Sequence, residues 1–92
     1  MVNLETESPD LLVTFTFTII VNARKQVWKK TEISFDDVVK LTFGSISRDP
    51  NIVYTVMYKK GPKENPEGSM VKGDVVKIKN EMVFNATSTD KS

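Results

Sequence analysis

The stretch that most constrains this chain is Ile33-Ser34-Phe35-Asp36-Asp37-Val38-Val39-Lys40-Leu41-Thr42-Phe43-Gly44, which reads as one helix with both ends specified. Ser34 is a good N-cap, because its hydroxyl can accept from a first-turn backbone N–H that has no intrahelical partner. Asp37, three residues on, can return the bond as a short-chain capping box, and Ile33 and Val38 are spaced as a hydrophobic staple. Asp36 and Asp37 complement the positive end of the helix dipole. Gly44 supplies the left-handed residue that closes a helix. The rest of the chain reads as strand, turn or tail. A lone helix has to bury its apolar side against something, so a helix packed on a sheet is the architecture to expect.

The strands can be placed in order. From Leu11 to Val21, the residues Val13, Phe15, Phe17, Ile19 and Val21 alternate with Thr14, Thr16 and Thr18, the strongest period-two signal in the chain. Its first half, Leu11 to Phe17, reads as an overhang able to pair with another sheet edge. Asn22-Ala23-Arg24-Lys25 reads as a turn, with Asn22 tolerant of positive φ. Gln26 to Ile33 then returns as the second strand of a hairpin, with Val27 and Ile33 on one parity and Trp28 on the other. Asn51 to Lys59 is apolar on both faces for much of its length and is read as a central strand.

Lys60 to Gly68 is rich in glycine, proline and charge and reads as an exposed loop. Ser69 to Asp74 is a short strand or turn leading into Val75 to Lys79, and Asn80-Glu81 turns into Met82 to Ala86. The domain is therefore expected over residues 11–86, with a flexible leader at 1–10 and a flexible C-terminal tail at 87–92. Hairpin, helix, strand, short strand and strand, in that order, make the β-grasp arrangement. This is an α+β fold with a mixed sheet of four to five strands packed on one helix. In it the first and last strands lie side by side, parallel, at the sheet centre.

Composition narrows the chemistry. Ninety-two residues suit one domain, and 13 basic against 12 acidic side chains leave a net charge of +1, which argues against nucleic-acid binding. The chain has no cysteine and no histidine, so thiol nucleophiles, imidazole bases, disulfides and zinc-thiolate sites are excluded within it. No catalytic residue, metal or cofactor is expected. Asp36 and Asp37 are neighbours at a helix start, where capping explains them better than a metal or an acid–base pair. The start, Met1 to Glu5, lacks the features of a signal peptide, and Leu11 to Val21 is too short for a membrane span. A cytoplasmic protein without membrane contact is expected.

Some side chains have two readings. Trp28 is either an exposed recognition anchor or an inward-turned residue covering the core. Ile20, Val53 and Met57 either form an apolar recognition patch on the sheet face away from the helix or are partly covered by the N-terminal strand. The run Lys59-Lys60-Gly61-Pro62-Lys63 is read as a solvated loop.

The ordered set of short stretches resembles the bacterial multiubiquitin family of ubiquitin-like domains. Its carriers are Ile19-Ile20-Val21-Asn22, Ile33 to Val39, Tyr54-Thr55-Val56-Met57-Tyr58, Pro66-Glu67-Gly68-Ser69-Met70, Gly73-Asp74-Val75-Val76-Lys77 and Met82 to Thr87. The resemblance runs from about Thr18 to Ser92 and implies a protein modifier. Implied partners are an adenylating activating enzyme, a conjugating enzyme and a metal-dependent isopeptidase-like protease. The conjugation tail would be Thr89, Asp90, Lys91 and Ser92, where the family's larger class carries glycines. Fully extended, a tail from Asn85 to Ser92 would reach about 26 Å. The alternative from a different class is a non-covalent assembly module, self-associating through the Leu11 to Phe17 segment by β-augmentation.

Overall fold

The computed structural model of the chain describes residues 16–91. The elements run β1 (Phe17–Val21), β2 (Arg24–Trp28), β3 (Glu32–Ser34), α1 (Phe35–Phe43), β4 (Ile52–Lys59), β5 (Gly68–Met70), β6 (Val75–Lys77) and β7 (Val83–Asp90). A five-stranded sheet has the order β2-β1-β7-β4-β5, and β3 pairs with β6 in a separate two-stranded ladder. β1 and β7 are parallel at the centre, with Ile20 beside Val83 and Val21 beside Phe84, and the other pairings are antiparallel. This is the expected α+β β-grasp arrangement of a mixed sheet on one helix.

The helix carries the ends its sequence specifies. The Asp37 N–H donates to Ser34 Oγ at 3.0 Å, and the Ser34 N–H donates to Asp37 Oδ2 at 3.0 Å, which completes the capping box. Gly44 has φ 85° and its N–H donates to the Lys40 carbonyl. Ile33 and Val38, the staple pair, are both buried. Val38 and Val39 face a core built from Ile19, Val56, Phe84 and Met82, all fully buried. The helix therefore lies across the sheet on the side taken by alternate residues of β1, β4 and β7.

The hairpin turn is tight. Asn22 and Ala23 both have positive φ, 49° and 69°, the twist that two-residue hairpin loops favour. The return strand is shorter than expected. It ends at Trp28 and resumes at Glu32 in the other ladder, and Trp28 Nε1 donates across the break to the Glu32 carbonyl at 2.8 Å. The reason is burial: Ile33 pairs with Val76 in a small ladder that closes one end of the core. The loop at 60–67 is folded onto itself by bonds from the Gly61 N–H to Pro66 O and from the Asn65 N–H to Pro62 O. Gly61 is required there, since a Cβ would stand 2.6 Å from the Asn65 carbonyl oxygen.

The flexible tail expected at 87–92 is corrected for 87–90, because β7 runs on to Asp90 with Thr87 to Asp90 paired to Thr55 to Ile52. Small polar residues read as coil, but the first half of β4 gives their backbone a complete ladder on one side. Of the long first strand, Phe17 to Val21 is present, and the Leu11 to Phe15 part lies outside the described residues, as does the leader. Among the described residues, no helix is long and apolar enough to cross a membrane.

Candidate docking face and C-terminal strand

Strand alternation divides the five-stranded sheet into a helix-side face and an outer face. Ile19, Val21, Val56, Tyr58, Phe84 and Ala86 are buried on the helix side. Their neighbours in sequence point the other way and are exposed or half-buried. Among the described residues nothing covers this outer face.

Register decides which apolar side chains meet there. Val27 lies opposite Thr18 and so diagonally across from Ile20, which is opposite Lys25. Ile20 sits beside Val83 across the parallel ladder. Val83 is opposite Lys59, which places Met57 on its diagonal, within reach of a long side chain. The result is an oblique apolar stripe, Val27–Ile20–Val83–Met57, crossing four strands. Val27 is 61% exposed and Met57 is 55% exposed, so the stripe is open to contact.

The expected patch is thus only partly assembled. Ile20 and Met57 are joined through Val83. Val53 is on the same face, 39% exposed, but stands beyond Thr55 and opposite Thr89, away from the others. Trp28 is on the opposite face. It pairs with Phe17, packs half-buried against the core and carries the Lys30 ammonium 5.9 Å from its ring centroid. The cause is parity: with Thr18 opposite Val27, Trp28 has to point to the helix side. Val27 and Val83 belong to the stripe and were not anticipated. The parity of Val27 against Trp28 was visible, but only the hairpin register tells which of the two faces out.

The C-terminal strand changes character along its length. Val83 to Ala86 lie between β1 and β4. At Ala86 the Asn22 side chain takes over from β1. Asn22 Nδ2 donates to the Ala86 carbonyl at 2.9 Å, and Asn22 Oδ1 accepts from the Ala86 N–H at 2.8 Å, the pair of bonds a strand neighbour would make. Ala86 is also the last buried residue, and Thr87 to Lys91 are all exposed. Beyond it, β7 and the start of β4 continue as a two-stranded ribbon. The Lys91 N–H donates to the Asn51 carbonyl at 2.8 Å, which extends the ladder one step past Asp90. Of the expected tail, Thr89 and Asp90 are therefore strand residues and Lys91 is held by its backbone; Ser92 lies outside the described residues.

This arrangement offers contact surface and an exposed last strand. Among the described residues, Asp and Glu do not gather into any group of three that could hold a metal ion. Asp37 is engaged in the cap, and Asp36 stands 3.7 Å from the Lys72 ammonium at the surface.

No curated protein and no solved structure matches this chain. A family model described as multiubiquitin matches residues 17–90.

Proposed function

The chain belongs to the multiubiquitin family, and from that premise we propose that it is a ubiquitin-like protein modifier, joined to targets or to copies of itself through its C-terminal carboxylate. The observation that carries the reading is the exit of the last strand. β7 leaves the core at Ala86, and every described residue after it is exposed. A central strand that runs out of the body delivers the chain end to an enzyme while the outer face stays free to dock.

The chemistry belongs to the partners. An adenylating enzyme would join the carboxylate to the α-phosphate of ATP, releasing pyrophosphate. A cysteine thiolate of an activating or conjugating enzyme would displace AMP and hold the chain as a thioester. An acceptor amine or hydroxyl would then displace the thiolate, leaving an amide or ester. A metal-dependent isopeptidase-like protease would reverse the link. This chain supplies the acyl group and the docking surface and acts as substrate, not enzyme. Because the ladder from Thr87 to Lys91 holds the tail against β4, those bonds open before the tail enters a narrow enzyme cleft.

The test is a denaturing blot of tagged protein in its native host, comparing the full chain with one lacking residues 89–92. Higher-mass bands that persist under denaturation and vanish with the deletion are expected, and a hydroxylamine wash sorts esters from amides. Only free protein in both lanes would overturn the modifier reading. Sedimentation of Leu11 to Phe17 variants would then examine the assembly module instead.

A further inference from the structure

A concave surface lies beside the helix, away from the stripe of Val27, Ile20, Val83 and Met57, with Val53 at its edge. It is a groove of about 810 Å³ between the end of α1, the connection after it, the start of β4 and the turn at 71–74. Its apolar wall is formed by Phe35, Ile46, Ile52, Tyr54 and Val71. Val71 is 65% exposed, so its side chain is available to a ligand along this wall.

The walls are held in place by hydrogen bonds. The Tyr54 hydroxyl accepts from the Ser47 N–H at 2.8 Å, which pins the connection against β4. The Tyr54 ring packs on Phe43 with centroids 5.4 Å apart. On the other side, the Val71 N–H donates to Asp74 Oδ2 and the Asp74 N–H donates to the Val71 carbonyl, closing a turn at Gly73 with φ 95°. The Phe35 N–H ties that turn to the helix start through the Asp74 carbonyl. A preformed groove loses little conformational entropy on binding.

Its charged rim has one sign. Lys40, Arg48 and Lys72 line the groove, and no Asp or Glu is among the described residues that do so. Asp36 offsets part of the Lys72 charge, which leaves Lys40 and Arg48 as the other two cations of the lining. In a chain whose overall charge is +1, three basic side chains around one apolar groove are a local concentration.

From this we propose that the groove is a docking site for an extended peptide of a partner protein, with aliphatic anchors flanked by carboxylates. The aliphatic side chains replace water along Ile46, Ile52 and Val71, and the carboxylates meet Lys40 and Arg48. The rim charges set encounter and register, and the apolar wall supplies most of the affinity.

The experiment uses the full chain and two labelled peptides: a Val-Ile-Leu core flanked by Asp and Glu, and the same core flanked by Lys. Fluorescence anisotropy is expected to show saturable binding of the acidic peptide only, weakening as salt is raised. Amide shifts should concentrate at Ile46, Tyr54 and Val71, and the double substitution Lys40→Glu with Arg48→Glu should weaken binding at least tenfold. Both side chains are exposed, so that variant should fold. Lys63→Glu, an exposed charge reversal in the loop at 60–67, should bind as the parent does. Equal affinity for the two peptides, binding unchanged by the reversed rim, shifts confined to Ile20 and Met57, or no binding at millimolar peptide would each overturn the proposal. None of these outcomes depends on whether the chain is conjugated.

Discussion

Asn22 does two things that no neighbouring residue could do together. Its backbone takes the positive φ of the hairpin turn, and its side-chain amide pairs with both main-chain groups of Ala86. Removing the amide leaves a part-buried N–H and C=O with poorer partners, which typically costs about 1–3 kcal/mol. Asn22→Ala is expected to lose about 2 kcal/mol in urea denaturation with an unchanged slope. Asn22→Gly keeps the turn conformation and removes only the clamp. If it proves as stable as the parent, the clamp contributes nothing. At this scale the helix was legible to the residue: Ser34, Asp37 and Gly44 occupy the positions their chemistry implies, because capping is decided within a few residues. The role of Asn22 was half legible. Its tolerance of positive φ is local, whereas its partner lies 64 positions away.

Among the elements, β7 is where local reading and structure part. Thr87-Ser88-Thr89-Asp90 contains no apolar residue, so nothing in its own pattern marks a strand. Its order comes from Ile52 to Thr55 across the ladder, a long-range pairing that no local pattern encodes. Beside it, the break in the second strand at Lys29 to Thr31 was equally hidden, since only the contact of Ile33 with Val76 requires it. The ribbon formed by 52–55 and 87–90 has no apolar core of its own. Hydrogen exchange should divide β7 at Ala86, with amides of 83–86 protected close to the global stability and those of 87–91 exchanging through local opening. Uniform protection along the strand would show that the tail does not open separately from the core.

In the molecule as a whole, the two faces of the sheet differ in burial. The helix-side face holds the buried core, and among the described residues the outer stripe of Val27, Ile20, Val83 and Met57 is not covered. Val27→Asp and Met57→Asp should each shift stability by less than about 0.5 kcal/mol, the usual range for exposed positions. Both should nevertheless reduce the conjugate bands seen with the parent chain, if partner enzymes dock on the stripe. Loss of folding in either variant, read by circular dichroism, would place these side chains in the core instead. The fold itself was legible because the order of patterned segments admits few topologies once a single helix is fixed. The composition of the stripe was not, because it depends on diagonal neighbours across four strands.

The clamp at Ala86 also has a mechanical meaning. A chain tethered at Thr16 and at Lys91 is pulled along the axis of β7, nearly perpendicular to its ladder bonds, so many rungs share the load at once. A sideways pull at Lys91 meets the rungs one at a time and peels the ribbon back as far as Ala86, where the Asn22 amide adds a second set of bonds. The same strand is thus weak to a tug that opens its end and strong to one that stretches it. A strand built this way yields to a small lateral force at its end, yet bears tension along its length without unravelling the body behind it.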